Sequence, residues 1–349
     1  MKFLLYGANG YTGTLITRFA KEYGLTPILA GRTESKIKAL AAEHGYDYRI
    51  FDLKDKAATE QALQDVKVVL HAAGPFIHTA KPMIEACLKT GTHYLDITGE
   101  YQIFEYGAEK SKEAEKAGVM LMSGVGFDVV PTDCMAAYLK NKMPDATHLK
   151  LAFAMVGGAV STGTAMTMTE NLGQMSKTRQ NGKLVDVPMG HKSMTVPFAR
   201  KAFFCMTIPW GDISTAYRTT GIPNIETYTK VHPAQYKWVQ RGKYFNWLLR
   251  TSFVKNYMQK KVKAAPAGPT DESRAKALSQ VWGEVTNAKG EVEAANLVCS
   301  EGYTLTAEAA LLITRKVLNG NVKAGCQTPA GLYGADLVME IKGSERIDL

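Results

Sequence analysis

The sequence predicts an α/β protein with a doubly wound parallel sheet at the N-terminus and a second α+β domain on a mixed or antiparallel sheet. Three observations carry this. Apolar strand-like runs alternate with helically spaced segments up to residue 123, a glycine-rich turn sits at the first strand-to-helix junction, and the rhythm changes after Pro131. With 349 residues, 46% of them hydrophobic, the chain exceeds the length over which one core usually grows, so two domains are expected.

Lys2–Tyr6 (KFLLY) is a short apolar strand, and residues 14–23 show helical spacing through Leu15, Ile16, Phe19 and Ala20. Pro27–Ala30 is the second strand, followed by a helix carrying Ile37, Leu40 and Ala41, and Tyr48–Leu53 is the third. Val66–Ala73 reads as a fully buried fourth strand, residues 80–89 as a helix, His93–Ile97 as the fifth strand, 101–117 as a charged helix and Val119–Ser123 as the sixth strand. Strands alternating with helices in this way imply right-handed βαβ units and a parallel sheet over residues 1–130. Beyond Pro131, Leu149–Val160 is expected to be a strand, 161–180 a helix rich in Thr and Met, and 183–231 several short strands. A loop around Pro266 and Pro269 precedes a final hairpin, Ala277–Asn287 with Gly290–Cys299. The second domain is expected over 131–324.

The turn between the first strand and helix is Gly7-Ala8-Asn9-Gly10-Tyr11-Thr12-Gly13. Gly7 permits the tight turn, Gly10 a close approach of backbone to phosphate, and Gly13 close packing of helix on strand. The helix N-terminus offers N–H groups to an anion, so Gly7, Asn9, Gly10, Tyr11, Thr12 and Gly13 are candidates to hold a dinucleotide pyrophosphate. The spacing GxxGxxG is a weak signal alone, and its place at the first junction of an alternating chain strengthens it. Where an NAD-specific site usually has Asp or Glu, this chain has Gly31-Arg32-Thr33 with Lys36 close behind. Arg32 and Lys36 suit a 2′-phosphate, and Arg32 can also stack on adenine, so the expected cofactor is NADP(H). Asp52, followed by Leu53, is placed either to accept from the adenine amino group or to cap the next helix. Ala73-Gly74-Pro75 is expected beside the nicotinamide ribose.

The strings GANGYTG (7–13), AGR (30–32), HAAGPF (71–76), HYLDITGE (93–100) and GFDVVPTD (126–133), with STGTA, GPTDESR and TPAGLYGADL further along, resemble the saccharopine dehydrogenase-like oxidoreductases, including relatives termed trans-acting enoyl reductases. HYLDITGE and GFDVVPTD are the specific elements. The resemblance implies a Rossmann domain, a substrate domain and a C-terminal segment, here 325–349, returning to the Rossmann domain. It does not imply saccharopine as substrate, because the chain lacks an evident paired Arg cluster for several carboxylates.

Hydride transfer needs positioning of the nicotinamide, shielding, and a proton donor where the reduced atom takes up a proton. Asp96, Glu100 and Asp128 lie at the carboxyl ends of the fifth and sixth strands and form the acid/base shortlist, with Tyr94, Thr98 and Asp133 nearby. Structural roles are open for each: a cap for Asp133, a turn for Thr98, a helix-end contact for Glu100. No Tyr-x-x-x-Lys occupies the place a short-chain dehydrogenase would use. No HExxH or CxxC suggests a metal, and the five cysteines, odd in number and well separated, read as free thiols. Met155, Met166, Met168 and Met175 read as core or as lining for an apolar substrate.

The formal net charge is +9, and residues 237–263 carry Lys237, Arg241, Lys243, Arg250, Lys255, Lys260, Lys261 and Lys263 without an Asp or Glu. Trp238, Tyr244, Phe245, Trp247, Phe253 and Tyr257 interleave with these charges. Such a segment either touches an anionic membrane surface peripherally or packs its aromatics on the body. Nucleic acid is not expected, since no recognised module accompanies the charge. Without a signal-peptide core or a spanning segment, a cytoplasmic location is expected. The function expected is an NADP(H)-dependent oxidoreductase, a homodimer acting on a small or lipid-like substrate; the alternative is a non-catalytic NADP(H)-binding or membrane-associated scaffold.

Overall fold

The structure, a computed structural model, describes residues 2–242 and 246–349. The chain forms two compact units, one running to Val130 and including Tyr303–Leu332, the other comprising Pro131–Gly302 and Tyr333–Leu349.

The first unit follows the expected alternation: β1 (Lys2–Tyr6), α1 (Tyr11–Phe19), β2 (Thr26–Gly31), α2 (Glu34–His44), β3 (Tyr48–Ile50), α3 (Lys56–Leu63), β4 (Val68–His71), α4 (Phe76–Thr90), β5 (His93–Asp96), α5 (Tyr101–Glu109), α6 (Ser111–Ala117) and β6 (Met120–Met122). All strand pairs are parallel, in spatial order β6-β5-β4-β1-β2-β3. In this doubly wound order the strand sequence reverses between β1 and β4, which opens a crevice at their carboxyl ends. β4 and β5 are buried throughout, as strands covered on both faces must be. Leu4, Tyr6, Val69, Ile84, Tyr94 and Leu121 belong to one core cluster.

In the second unit, α7 (Val130–Lys142) leads into β7 (Ala146–Val156), α8 (Thr162–Glu170), β8 (Ser176–Gln180), β9 (Lys183–Val187), β10 (Ser193–Pro197), β11 (Ala202–Thr207), α9 (Asp212–Thr220) and β12 (Asn224–Lys230). Then come α10 (Pro233–Gly242), α11 (Asn246–Leu249), α12 (Ser252–Ala264), α13 (Asp271–Lys276), β13 (Leu278–Asn287) and β14 (Val292–Ser300). The nine-stranded sheet is mixed: β12 and β7 are parallel and the other pairs antiparallel. The helix expected over 161–180 stops at Glu170, and β8 replaces its last turns. Asn181 and Gly182 both have positive φ, 48° and 78°, and join β8 to β9 as a two-residue hairpin. Asn-Gly favours that turn.

The C-terminal course also departs from expectation. α14 (Gly302–Leu318), assigned above to the second domain, lies almost wholly within the first unit, and β15 (Gly325–Cys326) extends its sheet parallel to β6. β16 (Glu345–Asp348) pairs instead with β14, so only the first part of 325–349 returns. Two local causes are visible. Thr306 Oγ1 accepts from Phe127 N–H at 3.0 Å, fastening α14 to the loop after β6. Asp348 accepts from the Tyr138 hydroxyl at 2.7 Å and Arg346 stacks 3.7 Å from the Tyr138 ring, fastening β16 to α7.

Replacing Thr306 by Val keeps its shape but leaves the buried Phe127 N–H without that acceptor. The variant is expected to lose about 1–3 kcal/mol in denaturant unfolding, and an unchanged midpoint would show that this contact does not hold the returning helix.

Candidate functional site

β1 is buried from Phe3 onward and ends where the chain must reverse into α1. Gly7 takes φ +87°, a conformation that L side chains rarely adopt, and its N–H and that of Ala8 both donate to Ala30 O, at 2.8 and 3.2 Å. A Cβ on Gly7 would stand 2.8 Å from Ala72 C and Ala73 Cβ, and one on Gly13 would stand 2.8 Å from Ala8 Cα. The glycines are therefore sterically required. Gly10 precedes α1 in extended conformation with no side-chain cap, so the first turn of the helix, bordered by exposed Asn9 and partly exposed Tyr11 and Thr12, presents its backbone dipoles outward. Tyr11 meets Tyr303 of α14 edge to face at 5.0 Å, a neighbour that sequence reading did not supply.

Beside this turn, β2 ends in Gly31, against which Asn9 packs: a Cβ on Gly31 would lie 3.1 Å from Asn9 Oδ1. Arg32 and Lys36 follow, both exposed. Among the described residues no carboxylate pairs with either, whereas Glu34 is engaged by Lys38 at 2.7 Å. Asp52 accepts from Lys54 N–H at 3.0 Å in a local turn. The cap of α3 is Asp55, which accepts from Ala58 N–H at 3.0 Å, so Asp52 does not have the capping role left open above. Leu53 is buried.

Across β1, the Ala73-Gly74-Pro75 segment and the start of α4 that follows it are held by Thr79 and Glu100. The Thr79 hydroxyl donates to Ala73 O at 2.6 Å and therefore accepts from His71 Nε2–H at 3.0 Å. Burial lowers the His71 pKa to about 3, which keeps the ring neutral and suits this tautomer. Glu100 Oε1 and Oε2 accept from Phe76 and Ile77 N–H, at 2.9 and 2.7 Å, and so cap α4 from 23 or more residues away.

The three shortlisted acids meet at the carboxyl ends of β5 and β6 in distinct environments. Asp96 is fully buried and accepts from Thr98 N–H (3.0 Å), Gly124 N–H (2.9 Å) and Ser123 Oγ (2.8 Å). Burial raises its pKa against those bonds. Glu100 is likewise raised, by burial first, with both oxygens committed to α4. Asp128 differs: among the described residues no hydrogen bond reaches its partly exposed carboxyl, which packs so closely over Gly99 that a Cβ there would lie 2.7 Å from Oδ2. Desolvation, followed by the charge of Glu100, pushes Asp128 up to about 7. This gives a carboxyl able to exchange a proton near neutrality. Asp133 lies in the first turn of α7 and accepts from Thr219 Oγ1 at 2.6 Å.

A pocket lined by Lys2, Tyr46, Tyr48 and Arg49 lies at the amino ends of β1 and β3, the edge opposite these groups. Its charges are paired, Lys2 with Asp47 and Arg49 with Asp65. Among the described residues no cluster of His, Cys, Asp and Glu could hold a metal.

Residues 3–122 match the family model of the saccharopine dehydrogenase NADP binding domain. Similar proteins include the saccharopine dehydrogenase-like oxidoreductase of Bos taurus, 28% identical, with 53% of this chain and 50% of that protein covered. A lipid droplet localized protein of Caenorhabditis elegans is 26% identical (52% and 49% covered), and a trans-acting enoyl reductase of Mycobacterium leprae (strain TN) is 30% identical (37% and 33% covered). The matched region spans about half or less of the length of these relatives. Among solved structures, apo saccharopine dehydrogenase (L-Glu forming) from Saccharomyces cerevisiae superposes with a TM-score of 0.68 at 14% identity, covering 100% of this chain and 99% of that one, which shows a shared fold. The resemblance read from the motifs is thereby borne out: residues 3–122 are similar to the NADP-binding domain of the saccharopine dehydrogenases, with NADP(H) as the cofactor of that domain.

Proposed function

We propose that the protein is an NADP(H)-dependent oxidoreductase that transfers hydride to or from a small or lipid-like substrate. The observation that carries the reading is the pairing of a sterically enforced glycine turn with an exposed, carboxylate-free Arg32 at the end of β2. In this reading Gly7, Asn9, Gly10, Tyr11, Thr12 and Gly13 cradle the pyrophosphate, where any added Cβ on Gly7 or Gly13 would collide. Arg32 and Lys36 take the 2′-phosphate, Asp52 and Leu53 border the adenine, and Ala73, Gly74 and Pro75 border the nicotinamide ribose. The bound nicotinamide supplies or receives the hydride. Asp128 exchanges the accompanying proton, while Asp96 and Glu100 keep the loops after β5 and β4 in place. The lipid-like class is favoured by the names of two relatives, a lipid droplet localized protein and an enoyl reductase. A cytoplasmic homodimer with peripheral lipid contact belongs to the same proposal; the five free cysteines fit the reducing compartment in that reading. A non-catalytic NADP(H)-binding scaffold is the competing reading; NADPH consumption with any of a panel of enoyl thioesters, imines and ketones removes it, and tight binding without turnover on all of them favours it.

Arg32→Ala is expected to weaken NADPH at least about tenfold while changing NADH little, since a charge-assisted contact to a phosphate is lost. Equal losses for the two cofactors would remove Arg32 from the site.

The raised Asp128 makes a second prediction that needs no substrate. The folded chain keeps the Asp128 proton up to about pH 7, whereas an ordinary Asp loses it near 3.8, so the native state binds more protons between those values. Stability is therefore present below this window and declines as pH rises through it. Asp128→Asn is expected to shrink that decline by an amount on the order of 1–3 kcal/mol between pH 5 and pH 8; an identical pH slope in variant and parent would show that Asp128 titrates normally.

A further inference from the structure

From Thr227 to Thr270 the sequence contains no Asp or Glu but nine Lys and Arg, matching the whole formal excess of +9. This stretch forms α10, α11 and α12, none of which contains a buried residue; Lys243, Tyr244 and Phe245, singled out from the sequence, lie outside the described residues. Among those described, Tyr236 packs edge to face on Phe204 at 5.4 Å, whereas the aromatics from Trp238 onward stand out from the body. Trp238 is 71% exposed, Trp247 70% and Phe253 82%, with Leu248, Tyr257 and Met258 also exposed. Scattered single apolar residues on a surface are ordinary, but several large ones on consecutive helices are not.

The orientation of α12 is fixed from its other side. Lys255 Nζ donates to Glu170 O at 2.6 Å and Gln259 Nε2 to Glu170 Oε1 at 2.8 Å, while just before the helix Arg250 Nε donates to Gly173 O at 2.8 Å. Anchored there, α12 leaves Phe253 and Tyr257, one helical turn apart, exposed on the side away from Glu170. Exposed Lys237, Arg241, Lys260, Lys261 and Lys263 share the same helices, and Lys261 Nζ sits 4.8 Å over the Tyr257 ring. The surface therefore pairs large apolar and aromatic groups with exposed cations, and the neighbouring Glu170 carboxylate is engaged by Gln259.

We propose that α10–α12 form a docking surface for an anionic phospholipid bilayer. Trp247, Phe253 and Tyr257 enter the boundary between headgroups and acyl chains, and the flanking lysines and arginines neutralise the headgroups. Single-stranded nucleic acid would also meet cations and aromatics, yet the exposed aliphatic Leu248, Met258 and neighbouring Met168 offer bases nothing and suit acyl chains. The surface is distinct in sequence from the glycine turn and Arg32, so it stands whether or not the hydride-transfer reading does.

The test is sedimentation of the full chain with vesicles of phosphatidylcholine alone and of phosphatidylcholine with about one third phosphatidylserine. Binding is expected only to the anionic vesicles, falling as salt is raised, with a blue shift of tryptophan emission in the bound state. Lys260→Glu together with Lys261→Glu is expected to reduce partitioning at least about tenfold, and Trp247→Ser with Phe253→Ser to reduce it comparably and diminish the blue shift. Unchanged thermal midpoints and NADPH affinity in both variants identify the loss as one of docking. Failure to pellet at any salt, equal binding to neutral vesicles, or binding of single-stranded RNA without vesicle binding overturns the proposal.

Discussion

The first unit is organised around the backbone at Gly7, where three chain segments pass within van der Waals contact. Gly7 N–H closes onto Ala30 at the end of β2, and the place a Cβ would take is filled by Ala72 and Ala73 at the end of β4. The same turn thus fixes the start of α1, the approach of Arg32 and the course of Ala73-Gly74-Pro75. A side chain at this one position would push apart the segments proposed to hold pyrophosphate, 2′-phosphate and nicotinamide ribose.

A second layer stiffens what the turn positions. Neutral His71 works through Thr79 on Ala73 O, Glu100 satisfies two N–H groups that open α4, and Asp96 gathers the loops after β5 and β6. Buried carboxylates are tolerable there because each accepts at least two hydrogen bonds. Among the described residues Asp128 has no such partners, and burial holds its proton nearer neutrality than hydrogen-bonded carboxyls like those of its two neighbours would suggest.

The parallel sheet was legible because strands buried on both faces read as apolar runs, and the glycine turn because its spacing coincides with the first junction. Less was legible where pairing is non-local. The Thr- and Met-rich stretch 161–180 has helical composition, but Asn181-Gly182 recruits its end into a hairpin. α14 was assigned to the domain beside it in sequence, although Thr306 and Tyr303 make their contacts with residues far earlier in the chain. Glu100 showed its position but not its partners, since a helix cap supplied from the next βα unit leaves no local spacing. For residues 237–263 the pattern gave charge and amphipathicity without saying which side faces outward; the bonds to Glu170 decide that.

The proposed site rests on the guanidinium at the end of β2 receiving the extra phosphate of a phosphorylated dinucleotide. Isothermal titration of the unmodified chain with NADPH and, separately, NADH measures it directly. Saturable heat is expected for NADPH, and binding at least about tenfold weaker for NADH. Absence of heat with both, or tighter binding of NADH, would contradict it.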